Sequence, residues 1–206
     1  MVATGSSGFA CEIFLLVLNV KPKQRIFHAR GLGAMGFGLP AAIGACFANQ
    51  HGRVICVDGD GGFQMNIQEL ETVARHRLPI KFFVVNNDGY ASIRSSQANY
   101  FKHLVGADAT SGLTLPDLGK VAAAYGVPFA RLDGKAGLKA QIAEVLRSEG
   151  PVVCEVPVLR DEARIPRLAS VQRPDGSMAS RPLEDLWPFL DRQEFRRNML
   201  IPTIEE

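Results

Sequence analysis

The sequence predicts an α/β domain built on a doubly wound parallel sheet with helices on both faces. Three observations carry this. Apolar runs recur at residues 24–28, 53–57, 80–85, 127–132 and 152–156. They alternate with longer stretches of helical period at 39–48, 67–75, 115–125 and 136–147. The runs are continuously apolar, and a strand of that kind must be covered on both faces, the situation of a parallel sheet between two helical layers.

The elements are justified in order. The run from Ile13 to Leu18 is far shorter than the roughly 20 residues that span a bilayer, and no basic segment precedes it as in a secretion signal. It is expected as a buried helix, with no membrane partner. The strand at 24–28 leads through a glycine-rich loop into the Ala- and Gly-rich helix at 39–48. The strand at 53–57 precedes the helix at 67–75, and the most apolar strand, 80–85, follows. The helix at 115–125 has Thr114 as its expected cap and Gly126 as its stop, and Gly134 and Gly150 bracket the helix at 136–147. The strand at 152–156 closes the set. Beyond it Pro157, Pro166, Pro174, Pro182 and Pro188 punctuate a polar segment with helical patches at 183–190 and 192–199. The organisation read from this is a domain over 1–157 and an extension over 158–206 that packs on the domain or on a partner. The cluster Leu186-Trp187-Pro188-Phe189-Leu190 must find cover there.

Composition excludes several classes. With 206 residues, 47% hydrophobic and 21% charged, the chain has the make-up of an ordinary globular protein, and a net charge of +2 gives no electrostatic reason to expect nucleic acid. The four cysteines, at 11, 46, 56 and 154, form no C-x-x-C pair and have no histidine at ligand spacing, so neither zinc nor an iron–sulfur cluster is implied. Three lie in apolar runs and read as buried structural thiols, which suits a reducing cytoplasm.

Two motifs compete for the chemistry. Gly31-Leu32-Gly33-Ala34-Met35-Gly36 spells G-x-G-x-x-G after a strand and before a helix, and Asp58 follows at the distance of a ribose-binding acid, the pattern of a dinucleotide-binding oxidoreductase. Gly38 and Pro40 disturb the expected helix start, and the same glycines also suit tight helix–sheet packing or a cofactor-facing loop of another kind. The second motif has two parts. Gly59-Asp60-Gly61-Gly62 follows the strand at 53–57 and precedes a helix, offering backbone N–H groups to a phosphate and a carboxylate to a metal. Asn86-Asn87-Asp88-Gly89 follows the strand at 80–85, adding an amide oxygen and a freely turning carbonyl at the same sheet edge. Magnesium takes about six oxygen ligands, usually shared among a few protein groups, water and phosphate. Asp60, Asn87 and the Gly89 carbonyl would supply the protein's share.

Together these residues resemble the signature of thiamine diphosphate enzymes: Gly59-Asp60-Gly61, then Asn87 27 residues after Asp60 in Asn86-Asn87-Asp88-Gly89-Tyr90, with Asn66, Glu69-Leu70, Thr72 and Pro79 between. The stretch from Gly31 to Ala45 is similar to the matching loop and helix of acetohydroxyacid synthase (acetolactate synthase) and related carboligases. The resemblance implies thiamine diphosphate and Mg2+ as cofactors, with Asp60, Asn87 and Gly89 as metal ligands. It implies that Gly61 and Gly62 donate to the diphosphate, although the family commonly has Ser at the position of Gly62. Met35 becomes the apolar prop under the bent cofactor, Gly33 faces the aminopyrimidine, and Tyr90 lies at the cofactor. Ser6 and Ser7, in Gly5-Ser6-Ser7-Gly8, belong to a loop closing over the diphosphate.

The implied reaction is decarboxylation of a pyruvate-like 2-oxo acid and transfer of the acyl anion to an acceptor carbonyl. The activating glutamate of such enzymes sits on a separate pyrimidine-binding domain, and no Glu of this chain stands in a matching context. The expectation is therefore an incomplete site, completed by another chain or segment in a homo-oligomer or heteromer. FAD would enter only through a further domain. The alternatives are a decarboxylase or lyase subunit and a non-catalytic cofactor-binding or assembly subunit.

Overall fold

The structure, a computed structural model, describes residues 1–6, 8–134 and 136–201. Its chain divides into two compact units, Met1–Glu162 and Ala163–Glu206.

The first unit is a six-stranded, wholly parallel sheet in the order β2-β1-β3-β4-β6-β5. The strands are β1 (Val2–Thr4), β2 (Ile26–Phe27), β3 (Val54–Gly59), β4 (Ile80–Asn86), β5 (Phe129–Arg131) and β6 (Val152–Pro157). Side chains alternate across it. On one face Val54 and Cys56 of β3 and Ile80, Phe82 and Val84 of β4 pack against α2 (Gly38–Ala48), α4 (Leu70–Arg75) and α6 (Leu118–Ala124). On the other, Val57, Phe83 and Val85 meet Phe14 of α1 (Glu12–Val17) and Ile142, Val145 and Leu146 of α7 (Leu138–Arg147). This is the doubly wound arrangement, and it explains why the central strands β3, β4 and β6 read as largely apolar runs. In α2 the small residues Ala42, Ala45 and Cys46 are buried and allow close approach to the sheet.

Several elements differ from the sequence expectation. The strand β1 was not anticipated, since three residues are too few to show a period, yet it lies inside the sheet, paired with both β2 and β3. The α1 helix forms but is not buried: Leu16 is 55% and Val17 74% exposed, because the sheet covers one side of the helix only. The helix α5 (Ala91–Tyr100) escaped notice because its sequence is polar. Thr114 does not cap α6; Asp117 does, accepting from the Lys120 N–H at 2.9 Å, while Gly126 ends the segment at φ +65° as expected. The stretch read as one helix at 67–75 is a 3-10 segment, Gln64–Glu69, with non-helical φ/ψ at Asn66, running into α4. All four cysteines are free and buried, and burial pushes their thiol pKa values up, so they are structural.

The boundary between the units follows from chemistry: Arg160 and Asp161 bind back to Arg94 and Asp108 and so belong to the first unit. The second unit contains an antiparallel hairpin, β7 (Ser170–Gln172) and β8 (Met178–Ser180), turning through Asp175 and Gly176, and the helix α8 (Arg192–Asn198). The helix foreseen at 192–199 is present. The one foreseen at 183–190 is not: Asp185 there is buried and takes two hydrogen bonds from Arg192, at 2.7 and 3.0 Å, and Trp187 exchanges backbone bonds with Arg167. Arginines of the same unit lie over the rings of the aromatic cluster, Arg167 over Trp187 and Arg181 and Arg192 over Phe189, but Leu186, Trp187, Phe189 and Leu190 stay 36–46% exposed, so the cluster is only partly covered.

Candidate cofactor site

A parallel sheet opens a crevice where successive connections leave in opposite directions. Here the chain runs from β1 outward to β2, then returns to β3 and continues to β4, so the switch falls between β1 and β3. A cleft of about 80 Å3 lies at the carboxyl ends of the strands, walled by Gly8, Phe9, Ala10, Met35, Asp60, Gly61, Gly62, Asn87, Gly89 and Tyr90, among others. Seven residues singled out from sequence, Met35, Asp60, Gly61, Gly62, Asn87, Gly89 and Tyr90, thus share one wall. Ser6 is buried at the end of β1 and Gly33 sits at φ +71°, its N–H on the Ala29 carbonyl; neither lines the cleft. Ser7 lies outside the described residues.

The metal-ligand candidates converge because β3 and β4 are neighbours in register, Gly59 opposite Val85. Asp60 opens the single-turn helix α3 (Asp60–Phe63). Its Oδ1 accepts from the Gly61 N–H at 2.8 Å, and its Oδ2 accepts from those of Asn87 and Gly89 at 3.2 and 3.1 Å. Burial pushes the Asp60 carboxyl upward in pKa, and these backbone donors oppose the shift. The turn requires its glycine: Asp88 and Gly89 have φ of +60° and +133°, and a Cβ on Gly89 would stand 2.4 Å from the Ala107 carbonyl oxygen. Asn87 Oδ1 is buried with no hydrogen-bond donor. A buried carboxylate beside an unpartnered carboxamide oxygen is a hard-oxygen donor set that fits a divalent cation.

Close packing extends from the metal candidates to the apolar wall. A Cβ on Gly61 would lie 2.4 Å from the Tyr90 ring and 3.3 Å from Met35 Cε, so glycine lets both side chains approach the turn. The Tyr90 hydroxyl accepts from Gln64 Nε2 at 3.2 Å. Asn66 donates to the Gly36 carbonyl at 2.8 Å and ties the Met35 loop to the 3-10 segment.

The dinucleotide pattern breaks down on geometry. The α2 helix begins at Gly38, two residues after the last glycine of the motif, so the motif does not form a helix N-terminus. Asp58 is 3% exposed and cannot reach a ribose. It is enclosed instead: Cβ atoms on Gly5, Gly38 and Gly62 would each fall within 2.7 Å of its carboxylate, and burial raises its pKa to about 7. Those glycines close around a buried carboxyl.

Sequence reasoning missed the residues that brace the turn. Asn86, read only as part of a motif, accepts from the Asp88 N–H at 3.0 Å and donates to Glu155 Oε1 at 2.5 Å. Glu155 in turn takes a 2.8 Å bond from Arg131. The interruption of the apolar β6 run by Glu155 was the one available signal.

The fold and this wall define an α/β domain with a crevice at the switch point. Residues 4–156 match the family described as thiamine pyrophosphate enzyme, C-terminal TPP binding domain, and the chain belongs to that family. It is 39% identical over 153 residues to an acetolactate synthase large subunit of Porphyra purpurea, covering 74% of this chain and 25% of the relative. It is also 37% identical over 157 residues to the chloroplastic acetolactate synthase of Arabidopsis thaliana, covering 74% and 23%. The chain spans about a quarter of the length of these relatives. Among the described residues no helix is long and apolar enough to cross a membrane.

Proposed function

We propose that this domain holds the diphosphate end of thiamine diphosphate through Mg2+ in a 2-oxo acid decarboxylating carboligase of the acetolactate synthase type. The observation that carries the metal assignment is the buried, unpartnered Asn87 Oδ1 beside Asp60 and the Gly89 turn. Asp60, Asn87 Oδ1 and the Gly89 carbonyl would hold the cation. Met35, Gly61, Gly62 and Tyr90 would form the cofactor wall, with Gly33 and Ser6 at its margins. When bound, thiamine diphosphate supplies an electron sink for the carbon left as a 2-oxo acid loses carbon dioxide.

The chain's own contribution is to bind, orient and shield. Asp60 neutralises charge while its oxygens are fixed by three backbone N–H groups. The Gly61–Tyr90–Met35 contact sets how closely the cofactor can approach the sheet. The glutamate that activates the pyrimidine end would come from another domain or chain in an oligomer, and the substrate would be pyruvate or a similar 2-oxo acid. Four free, buried thiols support a reducing compartment such as the cytoplasm.

Calorimetric titration with thiamine diphosphate, with and without Mg2+, tests the reading against a nicotinamide dinucleotide control. Binding should require the metal and be lost in Asp60→Ala. Metal-dependent binding that survives in Asp60→Ala would overturn the assignment.

A further inference from the structure

We propose that Arg94 is a positioning residue for the cation-binding turn, an inference that rests on Asp60, Asn87 and Gly89 being the cation's ligands. Arg94 lies in α5, 5% exposed, and does not line the cleft. Its guanidinium is wedged behind the turn. Nη2 donates to the Asn87 carbonyl at 3.3 Å and to the Arg160 carbonyl, and Nε donates to Asp161 Oδ1 at 3.1 Å. The buried Nη1 has no partner and lies 3.3 Å from the point a Cβ on Gly89 would occupy. One side chain therefore meets two of the three ligand residues from the side opposite the site.

That contact has mechanical and electrostatic consequences. The peptide from Asn87 to Asp88 must hold its orientation although Asp88 occupies the left-handed region, and such a conformation persists only where its surroundings fix it. The Arg94 bond to the Asn87 carbonyl does so, and through it the carboxamide of Asn87 stays aimed. A guanidinium near a divalent cation would repel it if unneutralised. Here Arg94 and Arg160 face three carboxylates: Asp161, Asp108 at 4.0 Å from Arg94, and Asp88 at 3.8 Å from Arg160. The group carries an excess of negative charge, so Arg94 can brace the turn without opposing the metal. Asp108 is itself fixed by Thr110, Ser111 and Arg160. Its loop accepts the Tyr90 N–H through the Ala107 carbonyl at 2.8 Å.

The test uses Mn2+ as the probe, its binding to the 206-residue chain with thiamine diphosphate followed by the paramagnetic resonance signal of free Mn2+. Arg94→Met should weaken Mn2+ by tenfold or more, Arg94→Lys by a smaller factor, and the core truncation Val73→Ala by less than twofold. That last comparison separates positioning from general loss of stability. If Asp60→Ala loses Mn2+ while Arg94→Met stays within twofold of the parent, the Arg94 proposal fails and the cation assignment stands. Equal Mn2+ binding by the parent and Asp60→Ala would overturn the cation assignment and the Arg94 role with it. Should Arg94→Met not fold, Arg94→Lys decides: an affinity within twofold of the parent refutes the proposal.

Discussion

The interruption of the β4 apolar run by Lys81 offers a quantitative test of what holds the sheet to its outer helix. Lys81 is 1% exposed, and its ammonium donates to the Ser148 carbonyl at 2.7 Å, the Ser148 hydroxyl at 2.9 Å and the Gly150 carbonyl at 2.6 Å. Those acceptors sit at the end of α7, where a cation also meets the negative end of the helix dipole. Burial pushes the Lys81 pKa down, with Arg53 adding to the effect, so desolvation opposes the hydrogen bonds. Lys81→Met keeps the stem and deletes the charge. Each buried acceptor left without a donor costs about 1–3 kcal/mol. Two carbonyls are stranded, but Ser148 is exposed and water can reach it, so the lower half of the range applies. The expected loss is about 2–3 kcal/mol. In urea denaturation followed by circular dichroism, with a slope of about 2 kcal/mol/M, the midpoint should fall by roughly 1 M at unchanged slope. Ser148→Ala should lose less, about 1 kcal/mol, and be partly redundant with Lys81→Met in the double variant. A midpoint for Lys81→Met equal to or above that of the parent would show that desolvation outweighs the three bonds and refute the reasoning.

Two further outcomes follow from the site. Gly61→Ala sets a methyl group against the Tyr90 ring, so it should cost about 1–3 kcal/mol by overpacking and weaken thiamine diphosphate binding at least tenfold; thermal melting and calorimetry read the two effects separately. Asp108 is held down at about pKa 2 by the Thr110 and Ser111 hydroxyls and by Arg160, against an ordinary 3.8. A depressed carboxylate binds fewer protons folded than unfolded, so its stabilisation is present above pH 3.8 and is lost as pH falls toward 2. Acid titrations of the parent and Asp108→Asn, followed by circular dichroism, should converge at the low end of that window and separate above it.

Legibility in the sequence tracked how local each determinant is. The strands β3, β4 and β6 were readable because burial on both faces leaves apolar runs of four to six residues, at 54–57, 80–85 and 152–156, with only Lys81 and Glu155 as interruptions. The β1 strand was not, since three residues carry no periodicity and its place between β2 and β3 depends entirely on non-local pairing. The α5 helix was invisible because one buried residue, Arg94, is all that turns inward from a polar sequence. In the site, Asp60 and Asn87 could be named because each ends its own strand next to a glycine turn. The chain alone did not say that Asn66 would pin Gly36, or that Asp58 would be enclosed by glycines from three elements.

By itself, then, the sequence determined the alternation of strands and helices, the turns that need glycine, and the oxygen donors that end β3 and β4, because hydrophobic period and backbone conformation are properties of short segments. Only the tertiary structure decided how Met35 of the first glycine motif and the Gly59–Gly62 turn meet on one cleft, and which charges lie behind the turn. Both depend on strand order at the switch point and on residues such as Arg94, Asp108, Glu155 and Arg160, far apart in sequence and joined only by packing.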